Sequence, residues 1–150
     1  MSLERFRSLS APELATARRA CAQPGPPALA RAIRQFNSGD YFACHETLEE
    51  LWREERGAVR RVYQGLLHIA VGFYHLRRGN RHGALTKLRS GLDYLAPFPA
   101  RCHEIDLEKL RAETAAWLRA IEAASPDQLS ALSLPAPQLG LPAQDAASFG

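Results

Sequence analysis

The sequence contains no run of apolar residues near the roughly 18 that a membrane-spanning helix requires. Its longest candidate, GLLHIAVGF, is interrupted by His68 and suits a buried helix segment instead. The first residues, MSLERFRSLS, lack the apolar core of a secretory leader, so none is expected. Aromatic residues make up only 8% of the 150 positions, and none interrupts the basic stretch RRGNRHGALTKLR. That stretch therefore lacks the stacking platform of a single-strand nucleic-acid binder. The net charge of +3 is also small for that role. Nowhere is there a glycine-rich phosphate loop, a G-x-S-x-G elbow or a dinucleotide fingerprint. Cys21, Cys44 and Cys102 are odd in number and form no C-x-x-C. A disulfide framework is therefore not expected, and a reducing, cytoplasmic setting is. No stretch alternates with the period of a strand.

What is present has helical spacing. Ser10 can cap a helix starting at Ala11-Pro12, inside a polar N-terminal extension (1–25) that ends at the break QPGPP. A second helix starts near Pro27 and stops at Gly39. Asp40 can cap a third, about 40–55, and Gly57 allows a tight reversal. The next, about 59–78, is apolar almost all round, as a central buried helix would be. Another runs from Asn80 to Leu95 and stops at APFPA. The last spans about 106–124, with Leu107, Leu110, Thr114, Trp117, Leu118 and Ile121 at helical spacing. Beyond it, residues 125–150 are rich in Pro and Ala and are expected to be flexible or loosely docked. The fold class is all-α: a compact antiparallel multi-helix bundle around the helix at about 59–78, with 26–124 as the helical domain.

The segment FNSGDYFACHETLEELW has a weak echo forty residues later in LRRGNRHGALTKLRSGL. Phe36 aligns with Leu76, Gly39 with Gly79, Asp40 with Asn80, Leu48 with Leu88 and Trp52 with Leu92. This is helical-hairpin grammar, reminiscent of tetratricopeptide-like units, although two units fall short of a solenoid.

One helix face carries the candidate chemistry. At about 100° per residue, His45, Glu49 and Trp52 share a side with Tyr41, Phe42 and Leu48, while Glu46 and Glu50 point away. On the following helix Gln64, His68 and His75 form a polar stripe beside Gly65 and Gly72, where a neighbour can approach closely. Counting back equally from Gly57 places His45 level with His68, and Glu49 level with Gln64. His45, Glu49 and His68 would suffice to ligate Zn²⁺, Mn²⁺ or Fe²⁺. A bound water could then attack a substrate, with Glu49 and His45 as the catalytic pair and Trp52, Gln64, His75 and Tyr41 in support. Without metal, His45 beside Glu49 could act as a general base. The alternative is a structural network in a non-enzymatic scaffold or partner-binding module, where His45, Glu49, Gln64 and His68 satisfy one another. HETLE is not an H-E-x-x-H motif, because its last position is Glu49. Cys44 reads as a small buried hydrophobe, since its neighbour His45 faces another way. A third reading, weak RNA binding, would use Arg77, Arg78, Arg81, His82, Lys87 and Arg89. Such a cluster is more often a solvated helix end.

These residues carry a resemblance. The chain resembles the Domain of Unknown Function 309 family, small helical proteins of bacteria and archaea with a His-x-x-x-Glu-x-x-Trp/Tyr signature, here His45, Glu49 and Trp52. Gln64, Gly65, His75, Gly79, Asn80, Gly83 and Ala84 also stand at places characteristic of that family. The resemblance covers about Ala30 to Ala124. It implies an all-α fold and metal binding by His45 and Glu49, and it implies no substrate or reaction. A small molecule or a protein is the expected partner. Nucleic acid and membrane are disfavoured, and homo-oligomerisation is left open.

Overall fold

The computed structural model describes residues 8–140. Helix α1 (Ala11–Cys21) begins at a capping box in which Ser10 Oγ accepts from Glu13 N–H and Glu13 answers the Ser10 N–H. Then follow α2 (Pro27–Asn37), α3 (Tyr41–Glu54), α4 (Arg60–Arg77) and α5 (Arg81–Leu95). A two-residue hairpin, β1 (Arg101–Cys102) and β2 (Ile105–Asp106), leads into α6 (Leu107–Ala123) and a 3₁₀ turn, Pro126–Ala131. The expected all-α bundle is therefore the observed one, with α4 packed between α3 and α5.

The forty-residue echo is reproduced in backbone detail. Gly39 and Gly79 take positive φ, 83° and 72°, where a side chain would be strained. Asp40 N–H bonds back to Gln35 O, and Asn80 N–H bonds back to His75 O. Asp40 then caps α3 through Ala43 N–H, and Asn80 caps α5 through Gly83 N–H. Thus α2–α3 and α4–α5 are two copies of one helical hairpin.

The second copy closes more tightly. A Cβ on Gly65 would lie 2.7 Å from the Leu95 side chain, and one on Gly72 would lie 2.6 Å from that of Leu88. From the other side, a Cβ on Gly91 would meet Ile69 at 2.6 Å and the Gly65 carbonyl at 3.1 Å. The glycines set beside the Gln64–His68–His75 stripe thus admit α5 rather than a ligand. Helices α5 and α6 are then clasped at both ends by arginines. Arg81, first in α5, donates to Ile121 O and Glu122 O at the end of α6. Arg111 of α6 donates to Leu95 O, last in α5, and to Phe98 O just beyond it. Each cation satisfies carbonyls that the last helical turn leaves without an intrahelical partner.

One expectation is corrected. Cys21 and Cys102 form a disulfide across 81 positions. The spacing of the cysteines does not reveal it, because a hairpin absent from the sequence pattern brings them together. Its turn residues, His103 and Glu104, take φ of 50° and 67° although neither is glycine or asparagine. Tertiary bonds hold them there: His103 N–H to Cys21 O, and the His103 ring to Gln23 and Tyr63. The proline-rich segment, expected to be flexible or loosely docked, follows a defined path. From Pro126 to Gly140 it is docked along the bundle, with Leu129 and Leu139 buried. The rest of that expectation, 141–150, lies outside the described residues.

Two substitutions test this architecture. Gly91→Ala should destabilise the protein by about 1–2 kcal/mol in urea unfolding, since overpacking exceeds the helix-propensity gain of alanine; an unchanged midpoint would mean the helices part at no cost. Replacing both Cys21 and Cys102 by serine should remove about 2–5 kcal/mol, and reductant should move the native chain to the same midpoint. Coincident midpoints before and after reduction would deny the disulfide any stabilising part.

Candidate functional site

Phe42 stacks towards Tyr74 at 5.6 Å between ring centroids, and Tyr41 towards Phe73 at 5.7 Å. These contacts fix the register of α3 on α4. They bring His45 to a cavity of about 130 Å³ shared with Tyr41, Phe42, Val71, Tyr74 and His75. His45 therefore comes level with Val71, about one turn beyond His68 along α4. The expected layer of His45, Glu49, Gln64 and His68 does not close. Counting from Gly57 erred because α4 begins only at Arg60, after an irregular stretch that ends in a turn.

Each member instead has its own neighbour. His45 is half-buried, and its Nδ1 lies 3.2 Å from Phe42 O. A carbonyl only accepts, so Nδ1 is the donor in this contact. Glu49 turns to Arg53 one helical turn on, at 2.9 Å, with 38% of its side chain exposed. It is a surface ion pair rather than a core carboxylate. Glu46 and Glu50 are exposed, as expected. Trp52 is half-buried beneath the Arg60 guanidinium, which lies 4.0 Å from the ring centroid. The same side chain donates through Nε to Trp52 O at 2.8 Å, tying the end of α3 to the start of α4. The Trp52 indole N–H is buried without a hydrogen-bond partner among the described residues.

His68 faces α5, away from α3. Its Nδ1 lies 2.7 Å from Ser90 Oγ, and its ring meets Tyr94 edge-on. Ser90 Oγ donates to Thr86 O and Lys87 O, so it accepts from His68 Nδ1–H. Gly65, His68 and Gly72 recur at three- and four-residue steps, so the stripe that admits α5 also carries His68 into it. Gln64 is half-buried one turn earlier on α4. Among the described residues no three His, Cys, Asp or Glu side chains form a cluster that could hold a metal ion.

His75 packs over Gly83, so close that a Cβ there would lie 2.7 Å from the imidazole, and it contacts Asn80 Nδ2 at 3.3 Å. Desolvation lowers its pKa below 6.5, and the positive charges of Lys87 and Arg78 add to the shift. Cys44 is buried and donates to Ala32 O at 3.3 Å. Burial pushes its thiol pKa up to about 12, which leaves an inert hydrophobe rather than a thiolate. The arginine cluster is engaged in the fold. Arg77 donates to Gly39 O at 2.6 Å and lies over Tyr41, Arg78 lies over Tyr74, and Arg89 pairs with Glu122.

Three groupings escaped the sequence. One is the His68–Ser90–Tyr94 contact. Another is a buried chain in which Tyr63 OH meets His103 Nε2 at 3.2 Å and His103 Nδ1 donates to Gln23 O at 2.8 Å. The last is Asn37 with Trp117, which together hold the docked segment. None has a spacing signal, because each joins residues from separate elements.

Residues 29–86 match a family model described as a domain of unknown function (DUF309), from α2 into the first half of α5. The family resemblance is thereby borne out over that stretch. An uncharacterized protein of Aquifex aeolicus (strain VF5) is 29% identical over 105 residues, which is 67% of this chain and 31% of that protein. The uncharacterized protein YpuF of Bacillus subtilis (strain 168) is 50% identical over 57 residues, 37% of this chain and 33% of that protein. The chain spans about a third of the length of these curated relatives. Neither description states an activity.

The His75 environment gives a signed pH dependence. Its folded pKa is depressed, so folding favours neutral imidazole. That contribution is fully present above the unfolded value of 6.5 and is lost as pH falls from there through the lower folded value. A proton NMR titration should place the His75 midpoint below 6.5, and His75→Gln should flatten stability between pH 7 and 5. A midpoint above 6.5 would contradict the desolvated setting.

Proposed function

We propose that the protein is a non-enzymatic helical-hairpin module that binds a partner protein, with His45 and Glu49 in local contacts of α3 and His68 in the α4–α5 seam. One observation carries this reading: the three side chains engage three different neighbours, a backbone carbonyl, Arg53 and Ser90. A metal-dependent hydrolase would need all three within about 2.0–2.2 Å of one ion. His68 would have to abandon Ser90 and cross α4 to reach it.

The RNA-binding alternative has part of its cluster engaged in the fold, since Arg77 and Arg81 bond backbone carbonyls and Arg89 pairs with Glu122. The expected cytoplasmic setting rested on free thiols, and the Cys21–Cys102 bond removes that support. Among the described residues no helix is long and apolar enough to cross a membrane.

Elemental analysis of untagged protein purified without chelator tests the module reading. Zinc, manganese and iron should be sub-stoichiometric. Glu49→Ala should shift stability by no more than about 0.5 kcal/mol, as an exposed i,i+4 pair does. His68→Ala should cost about 2–3 kcal/mol through the cavity and the bond lost to Ser90. One equivalent of metal that disappears in both His45→Ala and Glu49→Ala would sink the reading and restore the hydrolase.

A further inference from the structure

The docked segment is held as a peptide ligand is held. Asn37, last in α2, exchanges two hydrogen bonds with one residue of it. Asn37 Nδ2 donates to Leu139 O at 2.9 Å, and Leu139 N–H donates to Asn37 Oδ1 at 2.7 Å. That is the pairing a neighbouring strand would offer, and it reads an extended backbone without regard to its side chains. Some distance away, Trp117 Nε1 donates to Pro135 O at 2.9 Å. Proline has no N–H to leave unsatisfied and favours an extended chain, so it suits such a seat. The sequence from Gln128 to Gly140, QLSALSLPAPQLG, carries no charge.

The seat is poorly filled. A cavity of about 490 Å³ remains, lined by Tyr41, Phe73, Arg77 and Trp117 of the helices and by Leu134 and Ala136 of the segment. The cavity opens to solvent beside the strap, so it is a surface groove rather than an enclosed void. Leu134 is meanwhile 39% exposed, an apolar side chain left partly in water. The helical wall is aromatic and already ordered, since Phe73 meets both Tyr41 and Trp117. A fixed wall under a strap that touches it without filling it has the form of a binding groove covered by a weak internal occupant.

We propose that this groove binds an extended, uncharged, proline-containing peptide segment of a partner protein, with a bulky apolar side chain where Ala136 stands, and that residues 133–139 are its competitor in cis. This names the partner surface of the interaction module and rests on that reading. A tethered competitor acts at millimolar effective concentration, so the strap holds the groove shut against weak ligands and yields to a better-filling one.

The test uses the full-length chain and a labelled synthetic peptide, SALSLPAPQLG, corresponding to residues 130–140, together with a version carrying Phe at the Ala136 position. Leu139→Asp places a carboxylate in a buried seat and should release the strap. Fluorescence anisotropy should show this variant binding the native peptide at least about tenfold more tightly than the wild type does. The Phe peptide should bind more tightly still, and adding Asn37→Ala should abolish binding of both. Circular dichroism checks that the variants fold. If Leu139→Asp does not fold, amide exchange on the wild type decides: excess Phe peptide should strip protection from the Leu139 N–H. No peptide binding to folded Leu139→Asp, or no change at Leu139 in the wild type, overturns the proposal. So would a strap-exchanged dimer seen by light scattering. Metal content measured on the same samples keeps the two inferences separate, because peptide failure in metal-free protein removes the groove and leaves the module reading standing.

Discussion

The bundle depends on the close approach of α4 and α5. Gly65, Gly72 and Gly91 remove three side chains from that interface, so Leu88, Leu95 and Ile69 pack directly against backbone. A single methyl group at any of the three would collide, and packed cores respond to such additions with strain or displacement. Because α4 also backs onto α3, the position of α5 determines how both hairpins sit. It also determines which way His68 faces. An imidazole on the glycine stripe is carried into the α4–α5 seam, where Ser90 and Tyr94 meet it. The same packing that makes the core therefore separates His68 from His45 and Glu49.

A chain of aromatic and cationic contacts connects this core to the groove. Phe36, Tyr41 and Phe73 form one cluster, and Phe73 hands contact on to Trp117. Arg77 lies over Tyr41 and bonds the carbonyl of Gly39, so the second hairpin fastens the turn of the first. The element that orders the turn after Asn37 is thus also a wall of the cavity under the strap. Two of the cations that could be read as a nucleic-acid surface, Arg77 and Arg81, instead fasten a turn and a helix end.

Local chemistry was legible in the sequence, and tertiary choices were not. Ser10, Asp40 and Asn80 act as caps and Gly39 and Gly79 as stops because capping involves residues three or four positions apart. The wheel placed Tyr41 and Leu48 inside and Glu46 and Glu50 outside for the same reason, but it also placed Phe42 on the inward face, and that ring is 50% exposed where α3 meets Tyr74 at the edge of the bundle. Glu49 was misplaced because a long carboxylate at a boundary position can bend back to Arg53. His68 was misplaced because a helix apolar all round has no single inward face, so periodicity cannot say which neighbour a polar residue meets. The hairpin at His103-Glu104 breaks the turn preferences that would announce it, and its compensation comes from Gln23, Cys21 and Tyr63, far away in the chain. The strap failed to register because proline and alanine content signals a lack of helix, and extended docking leaves no period.

The disulfide has a consequence for the order in which the molecule can assemble. The two helical hairpins close through turns of a few residues, contacts that form early because little chain entropy must be lost first. Cys21 and Cys102 stand 81 positions apart, with both hairpins lying between them. Their sulfurs meet only once the β1–β2 turn has been bent over Tyr63 and the end of α1 has docked beside it. The bond therefore closes a loop that encloses both hairpins and ties the end of α1 to the turn before α6.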